Sequence, residues 1–216
     1  MSAVEGQVFK MDTNTPKTVA LLFSFGVVAL CLSCAPSASR TDNTPIDTSN
    51  DPEQVMLDTN KVAMVETNGK RYEISLVAGY RIGGLVLGHM NMPYDSFHGV
   101  ITCSVGMAWG RLVDLDKQRM VDWGFGAHEG WAGLRPELQP GADIDLHYLA
   151  SHFSITGIIP ANKSVDQAAK TLSYGEIAEL SGFLAEGSSL TRDDDGPGSG
   201  EILYTTRIRV HGMVFE

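Results

Sequence analysis

Residues 153–184 read FSITGIIPANKSVDQAAKTLSYGEIAELSGFL, and this stretch decides the fold. Phe153, Ile155, Gly157 and Ile159 alternate with Ser154 and Thr156, the period of a strand, and Pro160 ends it. Ser164 and Gln167 then stand at capping-box spacing. Asp166 suits the positive end of a helix, and Gly175 suits the exit. Val165, Ala168, Ala169 and Leu172 fall on one helical face, which predicts a short helix over 164–172. Ala178, Leu180, Gly182 and Leu184 return to the two-residue period and form the inner face of the next strand. The order is strand, helix, strand.

The flanks continue the β pattern. Val62–Val65 and Tyr72–Leu76 bracket Asn68-Gly69, whose two positive-φ positions predict a type I′ hairpin turn. Further strands are expected over Tyr80–Leu87, Phe97–Cys103 and Val105–Leu112, and paired Gly83-Gly84 mark a bulge or a close backbone approach. At the C-terminal end Ile202, Tyr204, Thr206, Ile208 and Val210 alternate with Leu203, Thr205, Arg207, Arg209 and His211, predicting a half-buried strand. From Gly124 to Gly141 the glycines and two prolines predict a long irregular loop bearing Trp123, Phe125 and Trp131 near its start and middle.

Several strands, one late helix and closing strands resemble an OB-fold or a related closed or partly closed small β-barrel, in which a helix plugs one end. Gly175–Leu184 looks like the G-x-x-x-x-x-x-G-x-L strand of such domains. In order, Ile158-Ile159-Pro160-Ala161-Asn162, that strand, Ser189-Leu190-Thr191-Arg192-Asp193-Asp194 and Glu201-Ile202-Leu203-Tyr204 are similar to an uncharacterised bacterial family of exported or membrane-anchored proteins. The resemblance spans Tyr80 to the C-terminus and implies no activity; the link Gly187–Ser189 is short against the family pattern.

Ahead of this domain, Val19–Leu32 reads VALLFSFGVVALCL, uncharged over 14 residues and preceded by Lys10 and Lys17. A full span needs ~20 residues, so the run fits a signal-peptide core better. It closes on Leu30-Cys31-Leu32-Ser33-Cys34-Ala35, which resembles a bacterial lipoprotein signal with Cys34 as the lipidated residue. Cleavage after Ser37-Ala38-Ser39, retention as an uncleaved anchor, and a start at Met11 are the alternatives. Pro36–Gln54 is Ser-, Thr-, Asp- and Pro-rich, with Ile46 its only large apolar residue, and is expected to be a disordered tether. The expected organisation is a signal or anchor helix over 1–34, a linker over 35–54 and a β-barrel domain over 55–216.

Of 216 residues, 43% are apolar and 19% charged, enough for one proper core. Sixteen Lys and Arg against 26 Asp and Glu give a net charge of -10, which argues against nucleic acid as a partner. Cys103, alone in the folded part, reads as a buried small hydrophobe.

Three constellations could carry chemistry. Trp123, Phe125 and Trp131 could form a stacking platform or pin their loop. Arg207, Arg209 and His211 could form an anion-recognising stripe or a charged exterior. Asp143, Asp145 and His147 would share one face of a strand, with His152 following; as a metal set this is weak, since it matches no compact zinc signature. Asp193-Asp194-Asp195-Gly196 lacks the first and last ligands of an EF-hand and reads as a Gly-rich loop. No cofactor is assigned. The expectation is a membrane-anchored extracytoplasmic binding protein for a protein, peptide or glycan. A metal-assisted hydrolase and an oligonucleotide- or glycan-binding barrel are the alternatives.

Overall fold

The computed structural model describes residues 40–92, 99–128, 131–186 and 201–216. The chain is mainly β. Its strands are β1 (Arg40–Thr41), β2 (Glu53–Thr67), β3 (Lys70–Asn91), β4 (Cys103–Ala108), β5 (Val121–His128), β6 (Trp131–Leu138), β7 (Phe153–Pro160), β8 (Ile177–Ala185), β9 (Glu201–Val210) and β10 (Met213–Phe215). Its helices are α1 (Leu115–Gln118), α2 (Leu146–Ser151) and α3 (Lys163–Thr171). Among the described residues no helix is long and apolar enough to cross a membrane. The expected signal or anchor helix lies outside them.

Asn68 and Gly69 take φ of 52° and 70°, as the hairpin turn between β2 and β3 requires. β3 then runs unbroken through Asn91, merging two strands that the sequence separates. Its length lets it pair with β2, β4 and β8. β4 pairs β7, β7 pairs β9 in parallel, β9 pairs β8, and β8 returns to β3. Five strands thus close a ring.

Ile82, Val86, Val105, Met107, Ile158, Leu180 and Leu203 fill the interior together with Val165, Ala168 and Ala169 of α3 and its C-cap Leu172. The predicted helix face is the buried one. Its cap differs: Asn162, not Ser164, accepts from the Val165 N–H at 3.1 Å. The ring is covered outside as well. Leu85, Leu87, Phe153 and Ile155 pack under the excursion between β4 and β7, and Ile74, Leu76, Ile159 and Ile202 under the β2–β3 hairpin. β4 and β7 are consequently buried on both faces except at Pro160.

Several readings need correction. The irregular loop over 124–141 is the antiparallel hairpin β5–β6 in a sheet of its own, with Gly126 opposite Gly133 and Trp123 opposite Pro136. A two-stranded ladder has only edges, which is where proline is tolerated. The Phe97–Cys103 strand reduces to a start at Cys103, with 97–98 outside the described residues, and Gly110–Val113 is a 3-10 turn.

The alternation in β9 is broken by an irregularity where Ser181 opposes Arg207 but Gly182 opposes Thr205. One extra residue flips the faces. Ile202 and Tyr204 therefore join the hairpin cluster outside, while Leu203, Ile208 and Val210 point into the ring.

The expected disordered tether is the last of them. From Arg40 to Pro52 the chain is a strap laid on the domain: β1 pairs β10, and the Thr48 carbonyl accepts from the Gly110 N–H at 2.7 Å. Local composition signals disorder, but partners from distant sequence supply the ordering energy.

Candidate functional site

The strap crosses the ring at Gly83. A Cβ there would collide with the Asp47 carbonyl oxygen and touch Ile46, so only glycine lets the two backbones approach. Two local turns shape the crossing. Asp42 accepts from the Thr44 N–H at 3.1 Å, and Asp47 accepts from the Ser49 N–H at 2.9 Å and from its hydroxyl at 2.7 Å. These Asx turns follow from Asp42-Asn43-Thr44 and Asp47-Thr48-Ser49, a repeated spacing that the sequence did carry. At the far end the Trp109 indole N–H donates to Asp51 at 2.9 Å.

Arg207 and Arg209 extend from β9 to the strap. Asp42 Oδ2 lies 3.0 Å from Arg207 Nη2 and 3.3 Å from Arg209 Nη1. Arg209 also donates to the Thr44 carbonyl at 3.2 Å and meets Glu179 of β8 at 3.1 Å. Glu179 and Arg209 are buried, at 7% and 6% exposure, so each depends on the other's charge. His211, exposed, faces Glu176 at 3.5 Å. The arginine stripe is therefore already occupied by carboxylates.

Beneath the strap these groups wall a cleft of about 420 Å³. Asp42, Asp47, Asp51, Glu53 and Glu179 face Arg81, Arg207 and Arg209, an excess of two negative charges. Arg81 pairs Glu53 at 2.7 Å, on the exposed rim. Hydrogen bonds from Thr44 hold the Asp42 carboxyl below its usual range, with Arg209 assisting. Bonds from Ser49, then Asn50 and the Arg81 charge, do the same for Asp47. Both are ionised acceptors at neutral pH, suited to receive donors or positive charge rather than to deliver protons.

The other candidates are dispersed. Trp123 is half-buried, edge-on to Phe153 at 5.7 Å, with its indole N–H donating to Gln118 at 3.0 Å. Gln118, itself buried, donates to the Leu112 carbonyl. Trp123 pins its hairpin. Phe125 and Trp131 lie on β5 and β6, and their side chains fall outside the described residues.

Asp143 pairs Lys117, and Asp145 caps α2 by accepting from the Tyr148 N–H at 2.7 Å. The expected strand face through Asp143, Asp145 and His147 is thus a helix entry, and the metal set is not assembled. His147 is exposed, while His152 stacks on Tyr148 at 3.7 Å with Nδ1 at 2.9 Å from the Tyr148 carbonyl. Among the described residues no three His, Cys, Asp or Glu are grouped to hold a metal. Cys103 is fully buried, and burial, with the Asp166 charge second, pushes its thiol up to about 12. Cys34 and Asp193-Asp194-Asp195 lie outside the described residues.

No protein-family model, no curated protein and no solved structure matches the chain.

Proposed function

We propose that this chain is an extracytoplasmic binding protein, anchored through a lipid on Cys34, whose OB-type barrel presents the cleft beneath the strap to a cationic, donor-rich ligand such as a basic peptide segment or an amine-bearing glycan. The barrel reading is supported by the five-stranded ring, its long shared strand β3, the parallel β7–β9 pairing, and α3 between β7 and β8 covering the interior. The single observation that carries the ligand class is the surplus of carboxylates over guanidinium groups in that cleft. Such a wall attracts positive charge and supplies acceptors for its N–H groups. The chain's net charge of -10 adds a long-range field of the same sign.

The anchor rests on the apolar run Val19–Leu32 and the small residues around Cys34. In that arrangement the strap begins a few residues after the lipidated cysteine. The unmatched resemblance to exported bacterial proteins agrees with this address and adds no activity.

Calorimetric titration of the purified full chain with tetralysine and with tetraglutamate tests the ligand class. Saturable tetralysine binding that weakens with salt and falls in a D47N/D51N variant is expected. Equal affinity for both peptides, or none for tetralysine, refutes it. The mass of the mature chain isolated from membranes tests the address: a diacylated N-terminal Cys34 is expected, and an unprocessed chain in the cytosol refutes it.

A further inference from the structure

β2 ends the path of the large sheet, and among the described residues no backbone hydrogen bond joins Lys61–Val65 to any element but β3. The two-residue turn makes Thr67 and Lys70 the last hydrogen-bonded pair. Val65, Ala63 and Lys61 therefore bond β3, while Met64 and Val62 turn their N–H and C=O groups outward. Ser75 fits this alternation. It stands opposite Val62, yet its carbonyl accepts from the Glu186 N–H on the far side of β3 at 2.7 Å. The irregularity between Met56 and Lys61 bounds the open run at one end, and the Thr67 hydroxyl, bonded to the Gly99 carbonyl at 3.3 Å, bounds it at the other.

Proteins normally blunt such an edge with a charge or a proline at the outward positions. Here those positions are apolar: Val62 and Met64 are 57% and 56% exposed on one face, and β2 contains no proline. With Val55 and Met56, four of the seven large apolar side chains exposed among the described residues belong to this strand, a concentration that marks an interaction edge. Charge selects what covers it. The chain carries -10 overall, but between positions 58 and 73 Asp58, Glu66 and Glu73 balance Lys61, Lys70 and Arg71. Two copies can meet here without the repulsion that opposes contact elsewhere. Their sequences also match. A two-fold axis at Val62 would set Glu66 against Asp58, and one at Met64 would set Val62 against Glu66. An axis at Ala63 sets Val62 of each copy against Met64 of the other, apolar on apolar, with no like charges opposed.

We propose that two copies of this chain pair antiparallel along Lys61–Val65 of β2, about a two-fold axis at Ala63, so that the sheet of one copy continues into the other. The pairing uses none of the residues that wall the cleft beneath the strap, and neither depends on the other.

Sedimentation equilibrium of the full chain in neutral detergent, over about 1–100 μM, tests it, the detergent shielding the apolar run near the N-terminus. A reversible dimer is expected. V62K/M64K should raise its dissociation constant about tenfold or more, with the far-ultraviolet circular dichroism of the parent retained because both side chains are exposed. The register has its own readout. In a Cys31→Ser, Cys34→Ser background, mixed Val62→Cys and Met64→Cys chains should form the disulfide between unlike chains faster than either forms one with itself, since only the unlike pair stands directly opposite. A monomer at every concentration overturns the proposal, leaving the edge to some other partner. So does a dimer that V62K/M64K leaves intact, or like-chain disulfides that form as fast as the mixed one.

Discussion

Asp42 of the strap and Arg207 of β9 meet at 3.0 Å across 165 residues of sequence. The contact ties the segment nearest the expected anchor to a central strand of the ring. Through Arg209 the same carboxylate is linked to the buried Glu179. The strap, the cleft and the ring are therefore one electrostatic unit, and perturbing one should be felt in the others.

Glu179→Ala leaves Arg209 buried with only the rim carboxylate of Asp42 to face it. Breaking a buried pair from one side costs about 3 kcal/mol or more. Glu179→Gln, which keeps an acceptor, should lose less. Denaturant unfolding of the two variants measures the difference, and equal stability with the parent would show that the pair is solvated.

Gly83→Ala places a methyl group against the Asp47 carbonyl. Forcing the two backbones apart should cost about 1–3 kcal/mol and raise hydrogen exchange at Ser49 and Gly110, whose N–H groups the strap holds. Gly79→Ala is the control. There the nearest atom to a Cβ is the Val55 carbonyl oxygen at 3.7 Å, an ordinary contact. Its stability should stay within about 1 kcal/mol of the parent, on the stabilising side if the strand entropy of glycine dominates.

Acid should loosen the strap. The Asp42 and Asp47 carboxyls are both held below their ordinary 3.8 in the folded chain. A depressed folded value adds stability in full above the unfolded pKa, and that stability is lost as pH falls through the folded one. Strap protection is thus expected to be flat from neutrality to about pH 5 and to decline below about pH 4. Asp47→Asn should flatten part of that decline. Exchange at Ser49, followed against pH, reads it out, and protection that rises on acidification would reverse the sign.

Cys103 should be inert in the native state. With its thiol pushed up to about 12 by burial, only opening of the ring exposes a reactive thiolate. In a Cys31→Ser, Cys34→Ser background, labelling by a disulfide reagent at mild alkaline pH should proceed at the rate of global unfolding. Fast native-state labelling would contradict the packing around β4.

The strand–helix–strand stretch over 153–184 and the Asn68-Gly69 turn were legible because their determinants are local: period, cap and turn chemistry within a few residues. The β9 face was half-misread because the irregularity opposite Ser181 and Gly182 is set by its partner strand, and no residue in β9 announces it. The β5–β6 hairpin was hidden by glycines and a proline that a free two-stranded ladder tolerates. The strap failed differently. Its composition cannot fold alone, and the arginines that hold it lie at the other end of the chain. Arg207 and Arg209 were legible as a charged stripe, but the carboxylates that convert the stripe into a cleft were not. Trp123 carried both readings, platform and pin, and its bond to Gln118 makes it a pin.

The cleft beneath the strap is tested most directly by locating tetralysine on the protein, mapped by amide shifts during titration. Saturable shifts concentrated on Asp47–Asp51, Gly83 and Arg207–Arg209 are expected, all suppressed together by D47N/D51N. Shifts confined to other surfaces, or unaltered by that substitution, would contradict it.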